Sequence, residues 1–223
     1  MISSRRAILI FAVIAAVFSS SCDHRSTLKV RYLPGIVTGT EHVLPPLNIV
    51  VAPASGSMAA GKFRVGAIYD ANGSLKSELS VSDFGPIVTA AVVRCLSDAG
   101  LKASVTAATN PTNAFPESAS LMVVPRIESI AVNKRFGAEH TVHGQYFTMT
   151  AEVRLRFLIF SHKTSSTYSV ATTGVEEEPP VPVGGETFLP LETEPAESLS
   201  VALSRAVGAL ILEPEFRRAI ATQ

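Results

Sequence analysis

Residues 147–159 alternate without a break. Phe147, Met149, Ala151, Val153, Leu155, Phe157 and Ile159 are apolar, and Thr148, Thr150, Glu152, Arg154 and Arg156 stand between them. Successive side chains of a strand point to opposite faces, so this pattern predicts a strand with one buried and one wet face, as in an antiparallel sheet covered on one side. His162-Lys163-Thr164-Ser165-Ser166 then reads as a hairpin turn, with residues 167–175 as the returning strand. Residues 121–132 predict a strand interrupted by Pro125, which lacks a ladder N–H and marks an edge or bulge. Residues 47–51 and 63–69 are shorter candidates. Pro53 ends the first, and the turn Asp70-Ala71-Asn72-Gly73 ends the second.

Helical spacing appears twice. Val88, Ala91, Val92, Cys95, Leu96 and Ala99 recur at intervals of three and four and form one stripe, predicting a helix over residues 84–99. Asp83 is placed to cap its start, and Gly100 supplies the left-handed residue that commonly ends a helix. A second helix is predicted over 196–212, where Leu199, Ala202, Leu203, Ala206 and Leu210 share a face, and Glu213-Pro214 breaks it. Residues 101–105 read as a short strand. The segments 103–120 and 176–195 read as long loops, the latter acidic and proline-rich. Two helical stripes and one apolar sheet face are buried most economically against each other. The expected fold is therefore α+β, a two-layer sandwich of a mostly antiparallel sheet with two main helices packed on one face.

The N-terminus follows different rules. Arg5 and Arg6 precede an apolar run over 7–18, too short to span a bilayer, which needs about twenty residues. Ser19-Ser20-Ser21 then leads to Cys22. Basic, apolar and small residues in that order make a secretory signal, and a cysteine directly after the small residues is a lipidation site. The expected organisation is a signal over residues 1–21, a lipid-anchored tether over 22–46 and a single α+β domain over 47–223. The tether holds Pro34, Gly35, Gly39, Pro45 and Pro46, with Leu28, Val30 and Tyr32 alternating as a short edge strand. An unlipidated secretory signal is the alternative, and Ser4-Arg5-Arg6-Ala7-Ile8-Leu9 also resembles a twin-arginine export motif. The expected location is the bacterial envelope, facing the periplasm, with the choice of membrane open.

Composition narrows the chemistry. The whole chain carries 19 basic and 19 acidic residues, so removing Arg5 and Arg6 leaves 17 against 19, a net charge of −2. That is not the basic footprint of a nucleic-acid binder. Once Cys22 is modified, only Cys95 remains, and its place on a helical stripe marks it as a small hydrophobe. Gly56-Ser57-Met58-Ala59-Ala60-Gly61-Lys62 has the spacing of a phosphate loop. A working loop continues with Ser or Thr and opens a helix, whereas here Phe63 begins a strand. His140-Thr141-Val142-His143, with Glu139 beside it, lies in a Gly-bounded loop and not on a helix that would bring i and i+3 to one face. No further cluster of Cys, His or carboxylates is adjacent to complete the three protein ligands of a catalytic zinc site. No nucleophile-elbow pattern is present. No cofactor is expected beyond the covalent lipid on Cys22, and no enzymatic activity. His140, His143, Glu176, Glu177 and Glu178 are polar groups that the core does not require, and are candidates for binding a partner.

The order of parts resembles the small bacterial lipoproteins of the YajG type, and more loosely the auxiliary lipoproteins of ABC transporters. The elements that carry the resemblance are the lipid-signal start, the turn Asp70-Ala71-Asn72-Gly73 and the helix end Leu96-Ser97-Asp98-Ala99-Gly100-Leu101. Two more are the strand end Gly174-Val175-Glu176 and the closing Leu212-Glu213-Pro214-Glu215-Phe216. The pattern spans most of residues 47–220. It implies a lipid-anchored envelope protein acting as a non-enzymatic interaction or assembly module. The alternative is an auxiliary subunit of an ABC-type lipid or solute transport system. Either implies a membrane contact through the lipid and an envelope protein partner.

Overall fold

The computed structural model describes residues 25–36, 44–108, 115, 118–137, 145–183 and 193–223. Among these residues eight strands form one sheet with three helices. The strands are β1 (Arg25–Thr27), β2 (Asn48–Val51), β3 (Lys62–Tyr69), β4 (Leu75–Ser82), β5 (Lys102–Val105), β6 (Leu121–Phe136), β7 (Gln145–Ser161) and β8 (Thr167–Val183). The helices are α1 (Phe84–Asp98), α2 (Thr193–Leu212) and α3 (Pro214–Ala221).

Strand β6 is the hub. Along one edge it pairs antiparallel with β7 over its whole length, from Leu121↔Ser161 to Phe136↔Phe147. Its other edge is divided. β2 lies parallel against the first part (Ile49↔Leu121) and β3 parallel against the last (Gly66↔Val132). The sheet grows outward through β3–β4 and β7–β8, both antiparallel, and through β4–β1 and β2–β5, both parallel. It is thus a mixed sheet in which the long hairpins are antiparallel. Pro125 sits between the two neighbours of β6. Its carbonyl accepts from Ser55 N–H at 3.0 Å where the β2 ladder gives way to a single bridge, Ser55↔Arg126. The missing N–H therefore falls where regular pairing has already stopped.

The alternation in β7 has its expected result. Phe147, Met149, Ala151, Val153, Leu155, Phe157 and Ile159 are all buried, while Thr148, Thr150 and Arg154 are exposed. Ala151, Val153, Leu155, Phe157 and Ile159 join the stripes of the helices, including Val92, Leu96, Leu203, Leu210 and Phe216, in one core cluster. Gly174 fixes how closely α2 approaches β8: a β-carbon there would stand 1.9 Å from Ala202 O and 2.5 Å from Ala206 N. A second, smaller cluster of Val50, Ala52, Ala119 and Met122, edged by Phe115 and Phe160, lies under the segment that follows β5.

Several segments differ from expectation. Residues 75–82, for which no element is predicted, form β4. The expected acidic loop begins as strand, because β8 continues through the three glutamates to Val183. Asp83 stands at the start of α1 in the left-handed region (φ 48°), and its carboxylate accepts from Gly61 N–H at 3.0 Å instead of capping the helix. Ala59 O takes the Gly85 N–H of the first turn at 2.7 Å. The phosphate-loop lookalike thus places a carbonyl where a phosphate would have to sit. At the other end of α1, Gly100 (φ 91°) closes the helix, and Leu101 N–H returns to Leu96 O at 3.1 Å.

Residues 25–36, within the expected tether, are packed against the domain. Leu28 and Val30 are buried. Arg31 N–H donates to Ser200 Oγ at 3.1 Å, and Leu33 N–H to Ser204 Oγ at 2.8 Å. The two hydroxyls donate in turn to the α2 carbonyls of Ala196 and Ser200. Four helical residues advance about 6.0 Å, and two extended residues about 6.6 Å, so the two spacings fit each other.

Candidate functional site

Cys22, His140 and His143 lie outside the described residues. Glu176, Glu177 and Glu178 face Ala151, Thr150 and Met149 across the β7–β8 ladder. Strand geometry divides them. Glu176 pairs with Arg205 of α2, whose guanidinium also donates to Val175 O. Glu178 accepts from Ser198 Oγ of α2 at 2.8 Å. These two carboxylates hold the helix. Of the three, only Glu177 is turned to the face of the sheet opposite Arg205 and Ser198, where it is exposed.

On that side two adjoining concavities make a polar trough across the strands. One, of about 370 Å³, is lined by Tyr69, Asn133, Arg135, Thr148 and Thr150. The next, of about 270 Å³, shares Asn133 and Thr150 and adds Glu152, Val175 and Glu177. Four strands supply these side chains: Tyr69 from β3, Asn133 and Arg135 from β6, Thr148 to Glu152 from β7, and Glu177 from β8. Arg135 lies over the Tyr69 ring, 5.9 Å from its centroid, in cation–π range. Beyond the trough, Arg154 pairs with Glu152 and Arg156 with Glu128 on the same face. The trough offers a guanidinium, an amide, hydroxyls and carboxylates on a rigid, shallow floor. It suits hydrogen bonding to a polar surface better than enclosing a small apolar molecule.

Thr150 and Glu152 are legible as wet-face positions from the β7 alternation. Tyr69, Asn133 and Arg135 join them only through the β3–β6 pairing, which no local pattern announces.

A concavity of about 250 Å³ on the helix side has the opposite character. It is lined by Tyr32, Pro34, Gly35, Cys95, Asp98, Ala99 and Ile211. Burial raises the Cys95 thiol to about 11, opposed by a hydrogen bond from Tyr32 and helped by the charge of Asp98. Burial is also the main cause that pushes the Tyr32 hydroxyl upward, with Cys95 adding to it. A thiol held protonated is a poor nucleophile, which agrees with Cys95 as a core residue. Among the described residues no group of three or more His, Cys, Asp or Glu is placed to hold a metal.

No family model matches the chain, and no curated protein matches it. Among solved structures it is similar to protein XCC0632 from Xanthomonas campestris, of the DUF330 family. That likeness has 11% identity and a TM-score of 0.49, covering 89% of this chain and 97% of that one. It is also similar to lipoprotein GNA1162 from Neisseria meningitidis, at 11% identity and a TM-score of 0.31 over 60% of this chain and 85% of that one. A third is the PelC dodecamer from Paraburkholderia phytofirmans, at 12% identity and a TM-score of 0.35 over 74% and 92%. These neighbours include a lipoprotein, but likeness of this degree transfers neither family nor function.

Proposed function

We propose that this chain is a lipid-anchored protein of the bacterial envelope, facing the periplasm and held by acyl chains on Cys22. Its domain serves as a non-enzymatic interaction module. We read the architecture as two layers, with the helices on one side of the sheet and the working surface on the other. The observation that carries the reading is the polar trough from Tyr69 to Glu177 on the helix-free side. The connection from β6 to β7 carries His140 and His143, and the two strand ends it joins also supply Arg135 and Thr148 to the trough. Glu177 is assigned to this partner-binding surface, and His140 and His143 are proposed as partner-binding residues from the sequence alone. Glu176 and Glu178 are assigned to holding α2.

The test has two arms. Cys22→Ser should abolish metabolic labelling by palmitate and move the protein out of the membrane fraction, and unchanged labelling would overturn the anchor. A photo-crosslinking residue at Thr150 or Asn133 should trap a specific envelope protein in intact cells, whereas one at Arg94, exposed on α1, should not. Equal adducts at all three positions would overturn the assignment of the surface. ATPase or permease subunits among the trapped proteins would favour the transporter-auxiliary reading.

A further inference from the structure

We infer that residues 25–31 are a built-in anionic-lipid contact, which lays the β1 edge of the domain on the membrane surface. The inference rests on the lipid-anchor reading and adds an orientation and a lipid chemistry to it. The chain is held by hydrogen bonds from Arg25 to Leu33. Arg25 stands opposite Glu78 in the β1–β4 ladder, and Leu28 N–H donates to Ser80 O at 2.8 Å. Ser80 Oγ donates to Ser26 O at 3.0 Å, and the two α2 serines hold Arg31 and Leu33. Three residue steps separate Arg25 from Cys22, and three extended residues span at most about 11 Å. Acyl chains on Cys22 therefore bring the headgroups to the β1 corner of the domain.

That corner has the charge a headgroup surface requires. Burial alternates along the segment: Ser26, Leu28 and Val30 are buried, while Arg25, Lys29 and Arg31 are exposed. Glu78 takes both Arg25, at 3.6 Å, and Arg64, at 2.7 Å. Among the described residues Lys29 and Arg31 form no ion pair. Beyond Arg25 the β3–β4 hairpin continues past the end of β1. It carries Lys76, paired with Asp70 at 3.3 Å, and Leu75, an exposed large apolar side chain. Basic residues next to an anchor are attracted to anionic lipid, and acyl chains combined with a basic patch hold a protein more firmly than one chain alone. The opposite edge, β8, is five strand spacings away, about 24 Å at 4.8 Å each.

The test uses the full lipidated protein in vesicles of phosphatidylglycerol with phosphatidylcholine, or of phosphatidylcholine alone. A fluorophore is placed at Leu75→Cys or Ala171→Cys, and a quencher is carried on the lipid headgroups. Buried Cys95 stays unlabelled. In anionic vesicles quenching at residue 75 should exceed that at residue 171 several-fold. Lys29→Glu with Arg31→Glu should remove most of the difference while the protein still floats with the vesicles. Equal quenching at the two positions in floating protein overturns the orientation alone. An undiminished difference in pure phosphatidylcholine, or in the double variant, overturns the anionic-lipid contact. Protein that does not float and carries no lipid mass on Cys22 overturns the anchor, and the orientation with it.

Discussion

The two faces of β7 are made by alternate residues of one strand, and they behave as different materials. The odd residues from Phe147 to Ile159 are buried, and those from Ala151 onward share one core cluster with the helices. The even residues Thr148, Thr150 and Arg154 are in water, and Glu152 and Arg156 are half-exposed and paired with charges of the same face. The concavities repeat the contrast. The helix-side one keeps a thiol and a phenol protonated by burial, while the open one gathers amide, hydroxyl and charged groups. Most of the core therefore lies on one side of the sheet. The other side is open to change from Thr148 to Arg156, while at its far end Phe160 packs on the smaller cluster of Val50, Ala52, Ala119 and Met122.

The contrast can be broken most severely at Gly174. Gly174→Val puts atoms into the α2 backbone at Ala202 and Ala206, and should cost about 4 kcal/mol or more, read as a collapse of the denaturation midpoint. Loss of under about 1 kcal/mol would mean that α2 can lift from β8 freely. Leu155→Ala, at a fully buried position, should cost about 2–5 kcal/mol. The same measurement on both variants ranks close approach against cavity formation.

The third effect is one of pH. The unfolded thiol of Cys95 loses its proton near 9, and the folded one near 11. Between those values the folded state binds more protons, so stability is full below the window and falls through it. The decline should be of the order of 1 kcal/mol per pH unit, and Cys95→Ala should flatten it in alkaline unfolding curves. An unchanged slope in that variant would remove the thiol from the account. The smallest effect is expected at Arg154→Ala on the open face, within about 0.5 kcal/mol. If Arg154→Ala and Leu155→Ala cost the same in thermal melts, the two faces are not distinct.

Parts of this architecture are legible without coordinates because a single period dominates them. The β7 alternation and the stripe from Val88 to Ala99 give both an element and its buried face. β4 escaped because two of its inward or ladder-facing positions are buried serines, Ser77 and Ser80, which weaken the apolar signal. Glu176-Glu177-Glu178 reads as loop by composition, since local pattern does not reveal that Arg205 and Ser198 wait on α2. The trough was half legible. Thr150 and Glu152 follow from period two, while Tyr69, Asn133 and Arg135 depend on β3 returning beside β6 over some sixty residues of chain, as in Gly66↔Val132. The packing of residues 25–36 shows the same limit. Leu28, Val30 and Tyr32 alternate visibly, but the serines that receive the backbone lie about 170 positions downstream.

The clasp formed by Ser200 and Ser204 also has a mechanical meaning. A tension applied at Cys22 enters the domain at Arg25 and runs along the extended segment. The β1–β4 ladder comes first, and the two serine hydroxyls follow in line. Pulled along its own axis, such a segment loads these attachments in shear and together, where a peeling pull would load them one by one. Under the proposed lipid anchor, this fastening is also the joint through which membrane and protein would exert force on each other.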